Sequence, residues 1–342
     1  MGLLEAIGQR SDESARATFG TLAAELQAGL VLYWKTAGKI LDDSGIILHP
    51  PPPGYLAMEK NIFSTLFLYS YYATDIDPAR RVVYVAVNQC LRGIVTGCDN
   101  ILDDEYKQTL DTDLPSRAAR FRSIVDIMVS DRVLFELLLE MADTVPLTGN
   151  MIQEASAASL RALTRSGTQE ASEEGGVGDI PVPERVLREI HHYKTGLLFQ
   201  CPWAVPGVIE TDLGPSVRDL REHLYRIGMG CQLFDDIVDL EADVRGHRYN
   251  YAWSKIFHTA DGRVRQELQN AFTLPATDQL LSNLHGTFPQ IIADVAAEGQ
   301  HMLEDGLGGL LREDHRHLTA LLVSFLVRRI GADRFLPRTT AA

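Results

Sequence analysis

Two short stretches of this sequence concentrate carboxylates at helical spacing. Residues 99–105 read DNILDDE, and Asp99 and Asp103 stand four apart, one turn from each other on one helix face. Residues 232–251 read QLFDDIVDLEADVRGHRYNY. Here Asp235, Asp239 and Asp243 are spaced four and four, a stripe two turns long, with Asp236 beside it. Like charges stacked in this way destabilise a helix by roughly 0.2–0.5 kcal/mol per neighbouring pair, and a bound cation reverses the sign of that term. One acidic stripe alone is often only a solvated face. Both of these, however, close long apolar runs, where charge is costly to bury without a partner. Two facing helices with such stripes form a cation site in a bundle core.

The candidate metal ligands are therefore Asp99, Asp103, Asp104, Asp235, Asp236, Asp239 and Asp243. Which of Asp103 and Asp104 meets a metal stays open. All the donors are oxygen, with no His or Cys in register, which favours Mg²⁺ ahead of Mn²⁺ or Ca²⁺. A di-iron carboxylate site needs a Glu-x-x-His pattern that neither cluster contains. Mg²⁺ keeps several waters and binds through a few carboxylates plus phosphate oxygens, so the site suggests a phosphorylated substrate.

These residues need helices to hold them. Apolar periodicity predicts helices over about 13–40, 56–76, 79–106, 115–143, 147–167, 183–211, 216–244, 276–304 and 314–334, with a shorter one near 261–272. Four prolines at 50–53 interrupt the pattern. Residues 166–182, rich in Gly, Ser and Glu, predict a mobile loop. No run of alternating strands stands out. The expected architecture is all-α, one domain over 1–342 with about ten helices around a central cavity.

Composition narrows the function. The 342 residues carry a formal net charge of −14, which gives no help in binding nucleic acid or anionic lipid. No stretch reads as a membrane span, and the N-terminus lacks the features of a signal peptide. Ala6 stands where a myristoylation signal wants Ser or Thr. Cys90, Cys98, Cys201 and Cys231 show no CxxC spacing. A reduced, cytoplasmic protein without disulfides or zinc is expected.

The paired motifs resemble those of the class I isoprenoid (terpenoid) synthase superfamily. Asp99-Asn100-x-x-Asp103 looks like its first motif, DDxxD, with Asn in the second place. GCQLFDDIVDLEAD resembles the second motif of trans-polyprenyl diphosphate synthases, and YKTG at 193–196 is similar to the Lys-Thr about one helix upstream of it. The Asp235, Asp239, Asp243 spacing also matches the metal triad of terpene cyclases, and DVRGHRYN resembles the Arg-Gly…Asn tail that often follows it. These motifs span about half the chain. Chain-elongating synthases bind a second diphosphate through Gly-Lys…Arg-Pro and an Arg pair after the first motif. Here AGKILDDSG lacks the Arg-Pro, and EYKQTLDTDLPSR offers Lys107 but no Arg pair.

The resemblance therefore implies a terpene cyclase that ionises a C15 or C20 allylic isoprenoid diphosphate and cyclises the carbocation. The alternative is a prenyltransferase, either a polyprenyl diphosphate synthase or a squalene/phytoene synthase-like condensing enzyme. It further implies three Mg²⁺ ions shared with the substrate diphosphate, Mn²⁺ as a substitute, and a homodimer as the one protein partnership. Lys194, Arg245 and Arg248 are the candidates to hold the diphosphate. Aromatic faces stabilise carbocations, and Phe63, Phe67, Tyr71, Phe199, Trp203 and Phe234 are the candidates to line the pocket. Pro202, Pro206 and Gly207 are expected to break the helix that carries Lys194, which in terpene cyclases assists ionisation. His191 and His192 read as a helix-surface pair, and Arg328 and Arg329 as candidate late diphosphate sensors.

Overall fold

The helical periodicity is realised across the described residues. The computed structural model describes residues 2–10, 13–210, 213–214, 216–273, 281 and 283–335. Among these residues the only strand-like pairing is one isolated antiparallel bridge between Leu48 and Thr112. In chain order the α-helices are α1 (Leu3–Arg10), α2 (Glu13–Leu41), α3 (Ile62–Ala73), α4 (Pro78–Leu102), α5 (Ala119–Ala142), α6 (Gly149–Ser172), α7 (Pro183–Arg185), α8 (Pro206–Ile209), α9 (Ser216–Val238), α10 (Leu240–Arg245), α11 (Tyr251–Thr259), α12 (Gly262–Thr273), α13 (Leu284–Thr287), α14 (Pro289–Leu310) and α15 (Thr319–Ile330). No helix of the described residues is long and apolar enough to cross a membrane. All four cysteines are free thiols.

The chain divides into two compact units. The first comprises Met1–Thr164, Gln200–Arg221 and Leu310–Leu318; the second comprises Arg165–Phe199, Glu222–Gly309 and Thr319–Ala342. In the first, Asp77 caps α4 by accepting from the Ala79 amide at 2.9 Å, and Pro78 opens the helix with its φ already helical. α4 packs against α2 and α5. A Cβ at Gly97 would lie 2.6 Å from Ile127 and 2.9 Å from the Ser123 carbonyl. The missing side chain thus lets α5 press on the last turns of α4, and the helix reaches Asp99 well supported. In the second unit, α9 and α14 use the same device. A Cβ at Gly230 would lie 2.8 Å from Leu303, and one at Gly306 would lie 2.7 Å from Ile227.

Among the described residues fifteen α-helices stand where about ten were expected: three predicted helices are each divided into two α-helices, and α1 and α11 were not predicted. The 183–211 segment becomes α7, a π-helical stretch Val186–Gly196, a 3₁₀ stretch Leu198–Trp203 and α8. The 216–244 segment is interrupted at Asp239, which sits between α9 and α10 with φ −96° and ψ 6°. The predicted 276–304 helix begins outside the described residues, and α13 and α14 cover its remainder. The segment expected as a mobile loop starts as helix, since α6 continues to Ser172. Its remainder is tied down. The Val177 amide donates to the His247 carbonyl at 2.7 Å, the Tyr249 hydroxyl to Asp179 at 3.0 Å, and the Ser254 hydroxyl to the Pro181 carbonyl at 2.5 Å. Gly and Glu content says nothing of these partners.

Asp126 on α5 is 2% exposed. Burial pushes its carboxyl up to about 6, against the opposing pull of Thr109, the Leu110 amide and Arg122. The folded state therefore holds this proton more tightly than the unfolded chain, whose ordinary value is 3.8. The linked stability is fully present below about pH 4 and is lost as pH rises through about 6. Asp126→Asn is expected to gain up to about 3 kcal/mol at pH 7.5 and nothing at pH 3.5, as urea unfolding at the two pH values would show.

Candidate functional site

The first acidic cluster sits where α4 runs out. Asp99 is half-buried and Asp103 exposed. The Asp103 amide still donates to the Asp99 carbonyl at 2.8 Å, so the two stay one helical turn apart. Asp103 is the last residue of that register. Asp104 already has a left-handed φ of +52°, and its carboxylate pairs with Arg120 at 3.0 Å. The backbone thus groups Asp103, rather than Asp104, with Asp99.

Asn100 explains its own departure from the DDxxD pattern. It is 2% exposed. Its Nδ2 donates to the Lys107 carbonyl at 3.0 Å, and its Oδ1 accepts from the Lys107 amide at 2.8 Å. Only an amide can do both. These bonds close the turn that follows the helix and hold the end of α4. Asn100→Asp, which restores the DDxxD pattern, would set a carboxylate oxygen against a carbonyl in a buried place. It is expected to cost about 2–4 kcal/mol at neutral pH, measured as a lowered denaturation midpoint with unchanged m-value.

The second cluster straddles the break at Asp239. The ladder survives the break, with the Asp239 amide on the Asp235 carbonyl and the Asp243 amide on the Asp239 carbonyl, both at 2.8 Å. Asp235, Asp239 and Asp243 therefore keep one stripe. Asp235 and Asp239 are exposed and Asp243 is half-buried. Burial, reinforced by the nearby Asp236, pushes the Asp243 carboxyl up to about 7, against the Asn250 hydrogen bond and the charge of Lys194.

Asp236 is not on that stripe. It is 1% exposed. Its Oδ1 accepts from Gln232 Nε2 at 2.8 Å, and its Oδ2 accepts from the Tyr251 amide at 2.6 Å and bonds His191 Nε2 at 2.7 Å. Expected among the metal ligands, Asp236 instead has its carboxylate spent on internal donors, because one residue along a helix turns it from the solvent face to the packed one. His191 is corrected with it. Expected on a helix surface, it is fully buried, whereas His192 is half-buried and bonds the Tyr225 hydroxyl at 3.0 Å.

Lys194 lies beside two carboxylates, Glu170 at 3.3 Å and Glu173 at 3.9 Å. Burial works against its charge, but Glu170, Glu173, Asp243 and Asp236 outweigh it and hold the ammonium above the ordinary lysine value. Arg245 ends α10 and is exposed; the Arg248 amide donates to the Asp243 carbonyl at 2.8 Å. Arg328 and Arg329 are exposed in the last turn of α15.

The aromatic candidates divide. Phe63 and Phe67 are half-buried, four apart on α3. Phe199 is half-buried against Gly228, where a Cβ would lie 2.7 Å from its ring. Trp203 and Phe234 are core residues instead. Trp203 donates to Ser70 Oγ at 3.0 Å and meets the Tyr71 ring edge-on at 5.2 Å, while Phe234 packs on Gly299. The expected break after Lys194 is present, but the Pro202 carbonyl already accepts from the Tyr71 hydroxyl at 2.7 Å. Sequence reading missed Glu170, near the end of α6, and Glu173, in the turn just after it, which lie beside Lys194.

Among the described residues no three His, Cys, Asp or Glu side chains converge enough to hold a metal unaided. The candidate donors, aspartates that are exposed or half-buried, offer oxygen without nitrogen or sulfur, a chemistry that suits a hard cation such as Mg²⁺.

Comparison with solved structures identifies the fold. Geranylgeranyl pyrophosphate synthase from Lactobacillus brevis matches with a TM-score of 0.66 at 16% identity, covering 93% of this chain and 100% of that one. Geranylgeranyl pyrophosphate synthetase from Pyrococcus horikoshii matches with a TM-score of 0.61 at 17% identity, covering 96% and 98%. Octaprenyl pyrophosphate synthase from Helicobacter pylori matches with a TM-score of 0.59 at 13% identity, covering 91% and 98%. No family model and no curated protein sequence matches the chain. The chain has the class I isoprenoid synthase fold.

Proposed function

We propose that this chain is a Mg²⁺-dependent enzyme that ionises an allylic isoprenoid diphosphate, with prenyl transfer as its reaction. The observation that carries the reading is the Asp235, Asp239, Asp243 stripe, exposed at its first two members and half-buried at the third, in a fold shared, over more than nine-tenths of the chain, with prenyl diphosphate synthases. The named neighbours are synthases of prenyl diphosphates, which favours transfer over the cyclisation that the sequence motifs suggested.

In this proposal Asp235, Asp239 and Asp243 in the second unit and, separately, Asp99 and Asp103 in the first are metal ligands, with Asp104 paired to Arg120 rather than ligating. Bound Mg²⁺ supplies Lewis-acid neutralisation of the departing diphosphate. Lys194 exchanges Glu170 for a diphosphate oxygen, and Arg245 and Arg248 add positive charge beside the stripe. Phe63 and Phe67 in the first unit and, separately, Phe199 in the second are candidate aromatic faces for an allylic cation.

Cyclisation of one substrate is the second reading, and one observation favours it. The lysines of the two stretches that stand in sequence where the family's second-diphosphate motifs are expected are engaged with carboxylates: Lys39 with Glu140 at 2.8 Å, and Lys107 with Glu105 at 2.5 Å. Incubation with Mg²⁺ and geranyl, farnesyl or geranylgeranyl diphosphate, with and without isopentenyl diphosphate, separates the two. Longer diphosphates formed only with isopentenyl diphosphate support transfer, whereas hydrocarbon or alcohol from a single substrate supports cyclisation. No release of diphosphate under any condition overturns both.

A further inference from the structure

The π-helical segment Val186–Gly196 and α9 are joined by a closed ring of four side chains. His191 Nε2 meets Asp236 Oδ2 at 2.7 Å, and Asp236 Oδ1 accepts from Gln232 Nε2 at 2.8 Å. The Gln232 Oε1 in turn accepts from the Thr195 hydroxyl, which returns to the segment that started the ring. The members are spaced four on each side, 191 and 195 against 232 and 236. Between the first pair lies Lys194, and directly beside Asp236 lies Asp235. The ring thus ties the diphosphate candidate to the helix that carries the metal candidates.

Two features show that the imidazole is there for more than filling space. His191 is fully buried, and its Nδ1 has no hydrogen-bond partner. An aliphatic side chain would fill the same space without that orphan acceptor. Moreover, the π-helical winding is what brings His191 inward. Val186, His191 and Gly196 are spaced five apart and all buried, and the Leu197 amide donates five residues back to the His192 carbonyl at 2.9 Å. Regular α-winding would turn His191 off that face.

We infer that His191 is a positioning residue: through Asp236 it sets the register between Lys194 and the Asp235–Asp239 stripe. This rests on the metal–diphosphate reading above. Groups that hydrogen-bond metal ligands typically change metal affinity by about 10–100-fold when removed; His191 acts one residue further off, on Asp236, so the lower end of that range is expected. Bond and packing are separated by His191→Leu, which keeps bulk without the donor, and His191→Gln, which keeps an N–H donor for Asp236.

The test has two readouts on the full chain. Hydrogen exchange should quicken in H191L over 186–197 and 232–251 and stay unchanged over 119–142. Titration of Mn²⁺ in the presence of inorganic pyrophosphate should show affinity at least ~10-fold weaker in H191L. H191Q should restore both. Wild-type exchange or wild-type affinity in H191L overturns the inference, as does a failure of H191Q to restore either, which would make the imidazole a packing element only. If the wild-type chain releases diphosphate from no isoprenoid substrate, the function reading falls, and the exchange comparison still decides this one.

Discussion

Asp239→Ala is expected to lower the rate of diphosphate release by ~10²-fold or more while leaving the fold intact. Asp239 is exposed, lies at the break between α9 and α10, and makes no side-chain cap to the helix that follows. Its removal even relieves repulsion, since Asp235 and Asp243 lie one turn to either side. What Ala forfeits is one oxygen ligand to a cation that stabilises the departing charge. The loss should appear in kcat and in the Mg²⁺ concentration at half-maximal rate, with an unchanged urea midpoint. Asp99→Ala should behave alike, since Asp99 shares its face with Asp103 at the end of α4. A variant that turns over at the wild-type rate would refute the metal assignment; one that unfolds would show the stripe to be structural.

The helical content, the two acidic stripes and the proline break after Lys194 were legible because each is a local pattern. Periodicity reports which face a residue occupies as long as the winding is regular. Asp236 was legible in principle: Leu233, Ile237 and Leu240, at −3, +1 and +4, are all fully buried, and they mark its face as the packed one. Grouping it with Asp235 by adjacency overlooked the quarter-turn between them. His191 was not legible, because its burial depends on a repeat of five that no α-helical template contains. Asn100 read as a weakened metal ligand, yet its identity is set by a backbone partner seven residues on, at Lys107. Glu170 and Glu173 were hidden for a related reason. They belong to a segment whose composition signals a loop, and only the tertiary fold brings them to Lys194. The break at Asp239 likewise leaves no mark, since the i to i+4 hydrogen bonds run through it.

Asp236→Ala should show the opposite signature to Asp239→Ala, a large loss of stability. One carboxylate satisfies Gln232, the Tyr251 amide and His191 in a place with almost no solvent. Ala leaves three buried donors without an acceptor, each worth about 1–3 kcal/mol, so a total of roughly 3–5 kcal/mol is expected after partial rearrangement. The Tyr251 amide matters most. It lies in the first turn of α11, which Asn250 caps by accepting from the Trp253 amide at 2.9 Å. Asn250 also donates to the Asp236 carbonyl at 2.7 Å and to Asp243 at 2.8 Å. Loss of the carboxylate therefore loosens the start of α11 and, through Asn250, the hold on Asp243. Activity should fall only as far as the folded fraction and this displacement require. Asp236→Asn tests the point from the other side. An amide oxygen still accepts from Tyr251 and His191, but its NH₂ then faces the Gln232 NH₂ unless Gln232 turns over, in which case the Thr195 hydroxyl must accept from Gln232 and its proton needs a new acceptor. Asp236→Asn should accordingly recover part of the stability lost in Asp236→Ala. If instead Asp236→Asn kept full stability and abolished Mn²⁺ binding, Asp236 would be a ligand after all.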